Sequence, residues 1–210
     1  MYYLFIIIFL SIIIFLMLIG LTKKHKNFKK RKLDNSYYTI TIMNLIISLI
    51  VGGIVLNYYN FSKHLLPKLQ NIIFYFIVLD TLFYWTHRTI HKNPTLKQFF
   101  HFTHHEAIDL IPMDLFYVDY KEYILYLIIF VFPLLFIDFS FIEYVVVSII
   151  TFYHFYYTHS DVKDSFILPI FVNSKYHKKH HTIGRGNYSL FFKIWDEYMD
   201  SKIKKTRLSK

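Results

Sequence analysis

Five apolar runs alternate with short polar segments along the 210-residue chain: Tyr2–Leu21, Tyr37–Phe61, Ile72–Trp85, Tyr123–Ile137 and Phe141–Tyr157. The first carries no charge and has the roughly 20 residues that a helix needs to cross a bilayer. It follows Met1 directly, with no basic leader and no small-residue cleavage pattern, so a retained helix is expected rather than a removed signal peptide. The last three runs are short or interrupted, as in helices that are tilted or partly covered by neighbours. Pro133 is tolerable inside such a helix. The pattern predicts an all-α integral membrane protein with four to five transmembrane helices.

Composition agrees: 55% of residues are hydrophobic and the mean hydropathy is +0.34. The net charge of +10 invites a nucleic-acid partner, but its placement argues against one. Seven of the ten residues 23–32 are Lys or Arg, between the first two apolar runs, and Lys202, Lys204, Lys205, Arg207 and Lys210 close the chain. Basic residues flanking membrane helices mark the cytoplasmic side and favour anionic headgroups. The absence of cysteine excludes disulfides and thiolate metal sites.

Threading the chain with residues 23–32 in the cytoplasm carries it out near Tyr58–Lys68 and returns it at His87 and His91. The last two apolar runs then go out and back. Ten of the twelve histidines fall in four clusters, and this one charge rule gathers all four on the cytoplasmic face: His87 with His91; His101, His104 and His105; His154 with His159; His177, His180 and His181. Residues at i, i+3 and i+4 share a helix face, so each HxxxH or HxxHH can aim its rings at one point. Neutral imidazole is the commonest protein metal ligand.

Each cluster alone has a plainer explanation. His87 and His91 could cap a helix end before Pro94, and the fourth cluster, with Lys178 and Lys179, could be a charged surface turn. Thr95–Ile108 is a helix candidate lying on the membrane surface, with its histidines turned inward. His154 and His159 are five apart, which is poor helical register, so His159 is the better ligand of that pair. His25 and His64, beside lysines, are expected to be solvated. Asp80, inside an apolar helix, is a functional carboxylate by default, expected to hold a histidine from another segment. Glu106 and Asp196 are further such supports.

Eight to ten imidazoles exceed one ion's coordination sphere and point to two metal ions in a cytosol-facing histidine cage. Nitrogen-only ligation suits iron, copper or zinc. The zincin pattern is absent, because Arg88 takes the glutamate position. At a membrane face lined with Phe, Tyr and Ile the accessible substrate is a lipid. Attack on its unactivated C–H bonds needs a redox metal and O2, hence iron. A polytopic membrane metal transporter or metal-binding protein is the competing class, although a transporter would place its ligands near the bilayer midplane.

The order Asp80-x-x-x-Tyr84-Trp85-x-His87-Arg88-x-x-His91, His101-x-x-His104-His105-Glu106, His159-Ser160, His177-x-x-His180-His181, Asn187-Tyr188 and Trp195-Asp196 resembles the fatty acid hydroxylase / sterol desaturase superfamily. The resemblance implies an integral-membrane, non-haem di-iron oxygenase that hydroxylates or desaturates a lipid; imidazole discriminates weakly between metals, so zinc can stand in for iron in purified protein. It also implies electrons from NAD(P)H through a separate haem-type carrier protein and its reductase. On this reading residues 1–71 are N-terminal membrane helices, 72–201 the di-iron domain and 202–210 a cytoplasmic basic tail. The location is the endoplasmic reticulum membrane in a eukaryote and the inner membrane in a bacterium. The chain departs from the family at Ser189 and Met199-Asp200-Ser201, which stand where glycine and Phe-Gly-Thr are usual. Asp119-Tyr120 stands where many relatives carry His-Pro, which leaves Asp119 an open candidate for an outer ligand.

Overall fold

The computed structural model describes residues 16, 18–162 and 168–204, so most of the first apolar run and the end of the basic tail lie outside the described residues. Among the described residues every extended element is helical, and no strand forms beyond two isolated bridges.

Helix α1 is Asn35–Tyr58, started by Asp34, whose carboxylate accepts from the Tyr37 amide at 3.0 Å. Such an N-cap satisfies one of the donors that a helix start leaves unpaired. Ile42, Ile46, Ile50 and Ile54 recur every four residues and are all exposed. Opposite them, the buried Asn44 donates to the carbonyls of Phe116 and Val118 at 2.9 and 2.6 Å. The helix thus turns an isoleucine stripe outward and uses its few polar groups to hold the interior.

Helix α2 is Leu69–Lys92, and its buried residues, among them Phe76, Leu79, Phe83, His87 and Ile90, repeat at intervals of three and four. Helices α1 and α2 are long and apolar enough to cross a membrane, yet only 17% and 33% of their apolar windows are buried. The core helix of a water-soluble protein would be mostly covered. The helix α2 sequence runs seven residues past its apolar run, which ends at Trp85, and that extension carries His87 and His91. Asn93 then stops it and caps the next segment, accepting from the amides of Thr95 and Leu96, with Pro94 at its first position.

Residues 94–105 form one winding in which Lys97–His101 is a π-helix and Phe102–His105 is α-helical. Each π-turn shifts the register of the downstream residues, and such turns concentrate at functional sites. The buried 3-10 turn Pro112–Phe116 comes next. It is anchored by Asp114, which accepts from Arg31 at 2.6 Å and Tyr37 at 2.9 Å.

Helix α3 is Tyr120–Val131, followed by a 3-10 turn, Phe132–Leu135, that contains Pro133. Helix α4 is Phe141–Thr158, opened by a Ser140–Glu143 capping box. Helix α5 is Ser174–Ile183, capped by Asn173 and ended by Gly184 at φ 71°, and α6 is the short Ile194–Tyr198. Side chains from α2, α3 and α4, with Leu190 and Phe191, form the larger apolar core. The histidines occupy the end of the bundle where α2 and α4 finish and α5 begins.

Candidate metal centre

Nine of the ten clustered histidines converge. They form two adjoining groups, His87, His91, His101, His105 and His180 in one, and His104, His159, His177 and His181 in the other. Within each group the candidate ligand nitrogens all lie within 4.8 Å of one another. The groups touch: the His105 and His181 rings are 4.9 Å apart, and those of His101 and His104 are 5.2 Å apart. Helix α2 supplies two rings, residues 94–105 three, α5 three, and His159 is the residue that ends α4. In the second sequence cluster His101 and His105 join one group while His104 joins the other, so HxxHH serves both.

The proton inventory of these rings shows what they are built to receive. His87 Nδ1 faces the Tyr188 carbonyl at 2.9 Å, His91 Nδ1 that of Gly184 at 3.2 Å and His180 Nδ1 that of Gly186 at 2.7 Å. A carbonyl only accepts, so each Nδ1 carries the ring's proton and each Nε2 of a neutral ring is a bare lone pair. His101 Nδ1 likewise meets a carboxylate oxygen of Glu122. Yet the Nε2 atoms point at each other: His105 Nε2 lies 3.2, 3.1 and 3.1 Å from those of His91, His101 and His180. His87 and His101 Nε2 are 3.0 Å apart. One proton on His105 cannot satisfy four converging lone pairs. In the second group His159 Nδ1 donates to Phe155 O at 2.8 Å, while its Nε2 is 3.2 Å from that of His177. Both groups have surplus lone pairs and too few protons, which is the condition a cation relieves.

Burial, reinforced by neighbouring rings, pushes His101, His104, His177, His180 and His181 well below the ordinary imidazole range and His105 to about 3. The rings are therefore neutral at physiological pH, the form that ligates metal. A histidine depressed in the folded state binds fewer protons there than when unfolded. Its stabilisation is complete above the unfolded value of about 6.5 and drains away as pH falls through the folded one. The metal-free protein should accordingly lose thermal stability as pH falls below about 6.5. Thermal unfolding of the stripped protein at pH 7.5, 6 and 5 checks this, and an unchanged midpoint would contradict it.

Several expected roles fall elsewhere. His154 joins neither group: five residues from His159 it is turned about 140° around α4, where its Nε2 donates to Leu190 O at 2.7 Å and its ring stacks on Phe191 at 4.3 Å. Asp80 holds no histidine. It accepts from the amides of Phe191 and Phe192 at 2.7 and 3.3 Å, so it pins the chain after the fourth cluster to α2. Glu106 accepts from Tyr117 OH at 2.7 Å instead of from an imidazole. Asp119 caps α3 through the Lys121 amide and is not among the ring partners. His25 and His64 are half-buried, not solvated: His25 donates to Ser160 O at 2.6 Å, and His64 lies 3.1 Å from Glu143. Asp196 acts at one remove. Fully buried, it accepts from the amides of Tyr188 and Ser189, and the Tyr188 carbonyl receives His87.

Two features of the site escape a reading of the sequence by position and spacing. Glu122, fully buried behind His101, sits at the margin of an apolar run and reads there as an interfacial charge. The turn Gly184-Arg185-Gly186 supplies two of the carbonyls that fix imidazole tautomers. Gly186 has φ 72°, and a Cβ there would meet Ser201 O at 2.6 Å, so only glycine fits. A Gly-x-Gly directly after the fourth cluster is the signal that the sequence offers.

Searches of curated proteins and of solved structures give no match to the chain. Residues 72–201, well over half its length, match the sequence model of the family described as fatty acid hydroxylase. That span contains all nine converging histidines, and with its apolar, outward-facing helices this membrane protein belongs to the fatty acid hydroxylase family.

Proposed function

We propose that this protein is a membrane-bound, oxygen-dependent lipid hydroxylase or desaturase whose two histidine groups hold two iron ions. The observation that carries the reading is the pair of adjoining groups of Nε2 lone pairs, fixed from behind by carbonyls and a carboxylate and short of protons at the centre. Iron so ligated supplies the activation of O2 that oxidation of an unactivated C–H bond requires. The chain's own part is to bind and orient. The Nδ1 contacts to Tyr188, Gly184, Gly186, Phe155 and Glu122 fix ring direction, and such outer contacts typically tune metal affinity about 10–100-fold. Phe83 and Tyr188 pack against the His87 ring at 5.3 and 5.7 Å and keep water from that side. His91, His105 and His177 are only half-buried, which leaves an approach to both groups.

A lipid substrate fits the setting, because the exposed isoleucine stripe of α1 and the apolar outer face of α2 need a hydrocarbon surrounding. The histidine groups face the cytosol in this reading, with residues 23–32 on the same side. Electrons come from NAD(P)H through a separate haem-type carrier and its reductase. The chain is multi-pass, in the endoplasmic reticulum membrane of a eukaryote or the inner membrane of a bacterium. Comparative lipidomics of expressing and non-expressing cells under 18O2 tests the activity. A lipid gaining labelled hydroxyl, or losing two hydrogens, only with the intact chain is expected. Identical lipid profiles at normal protein abundance would overturn it.

A further inference from the structure

We propose that Glu122 is a positioning residue that makes the two histidine groups unequal, so that the five-histidine group takes up metal first and holds it more tightly. Glu122 lies in the first turn of α3 and is fully buried. Its carboxylate meets His101 Nδ1, and no lysine or arginine pairs with it among the described residues. A buried carboxylate without a cation is costly. The nearest place for compensating charge is across the imidazole, where His101 Nε2 lies 3.0 Å from His87 Nε2 and 3.1 Å from His105 Nε2. A cation in that group closes the sequence carboxylate–imidazole–metal, and the carboxylate in turn makes the imidazole a stronger donor to the metal.

The four-histidine group has no such support. The partner behind His159 is a neutral carbonyl, and no carboxylate makes a hydrogen bond to His104, His159, His177 or His181 among the described residues. The other fixed rings of the five-histidine group also rest on carbonyls, those of Tyr188, Gly184 and Gly186. His101 is thus the ring, among those with a defined Nδ1 contact, that is backed by a negative charge. Its place on the π-wound segment Lys97–His101, at φ −114° and ψ 0°, brings it within reach of Glu122. The five-histidine group therefore exceeds the other by one ligand and by one carboxylate.

The inference rests on the two-ion reading, and its test separates the two. The full-length protein in detergent, stripped by chelator, is titrated with cobalt(II), whose visible absorption reports nitrogen ligation. Wild type is expected to bind two equivalents in two classes. Glu122→Gln keeps an acceptor but removes the charge, and should weaken the tighter class about 10–100-fold while leaving the weaker one unmoved. In parallel, His177→Ala should leave the tight class unmoved, whereas His91→Ala should weaken it. That comparison tests whether the tight class belongs to the five-histidine group even if Glu122→Gln does not fold. Uptake of fewer than two equivalents by wild type would overturn the two-ion reading itself. Two equivalents in wild type with Glu122→Gln unchanged would overturn the role of Glu122, and an equal effect of His91→Ala and His177→Ala on the tight class would overturn the inequality of the groups, each leaving the two-ion reading standing.

Discussion

His180→Ala and His104→Ala, one from each histidine group, should each reduce lipid oxidation by more than about 100-fold, beyond the usual cost of losing an outer-shell contact. His180 is fully buried, its Nδ1 is committed to Gly186 O at 2.7 Å, and its Nε2 stands 3.1 Å from that of His105. Removing it takes out one of five converging donors and also frees the turn after α5 that positions Gly184 and Gly186. His104 is buried with its ring 4.4 Å from that of His181 and 5.5 Å from that of His159. Its loss opens the smaller group and leaves it three histidines. His154→Ala is the contrast. The ring is bound to Leu190 O outside both groups, so this change should cost stability and leave metal uptake intact. Product formation per folded molecule separates these cases. Near-normal turnover of His180→Ala or His104→Ala at normal abundance would remove the groups from the reaction.

Asp196→Ala should be the most damaging change that touches no histidine. The buried carboxylate accepts four hydrogen bonds: from the amides of Tyr188 and Ser189 at 2.9 Å, from Tyr176 OH at 2.9 Å and from Ser201 Oγ at 2.7 Å. These tie together α5, the segment that receives His87, and the chain beyond α6. Alanine leaves the Tyr188 and Ser189 amides and the Tyr176 hydroxyl without this acceptor in the interior, while Ser201 Oγ keeps its contact with Tyr84 OH at 2.8 Å. By the measured behaviour of broken buried networks that costs about 3–5 kcal/mol, or a fall in Tm of about 6–20 °C for a chain of this size. Asp196→Asn should fall between, since its one remaining oxygen can serve only part of the set. A shift below about 2 °C for Asp196→Ala would show that the network carries little of the stability.

Much of the helical plan is legible in the sequence because apolar runs are long and charges are concentrated between them. The apolar run 141–157 becomes the helix Phe141–Thr158, and the run 37–61 becomes Asn35–Tyr58. The third run ends at Trp85, where polarity rises. The helix continues to Lys92 because its last turns carry ligand candidates instead of core. The fourth run extends to Ile137, whereas α3 stops at Val131 and Pro133 sits in a 3-10 turn. A proline lacks the amide needed to continue a helix, so hydropathy carries the run past a point where the backbone cannot go on.

The focusing of rings within each HxxxH or HxxHH is legible from spacing, since i, i+3 and i+4 positions share a face, while the expectation that the clusters share one site comes from the placement of the basic residues. The partition of the rings into five and four is not legible, because which ring of one cluster meets which ring of another is set by packing between segments. The carboxylates show the same limit. Asp80 and Glu106 are conspicuous by position in sequence, yet each is consumed by a nearer donor, a backbone amide or a tyrosine hydroxyl. Glu122 is inconspicuous and lies against a ring. Which carboxylate meets which imidazole is decided by packing between segments, and no single-sequence periodicity encodes that.

The most direct test is elemental analysis of the full-length protein purified anaerobically in detergent, with helical content checked on the same sample. Two transition-metal ions per chain are expected, one for each histidine group, and zinc in place of iron would satisfy the expectation because imidazole discriminates weakly between them. One ion or none, in protein that retains its helical content, would contradict the two-centre account.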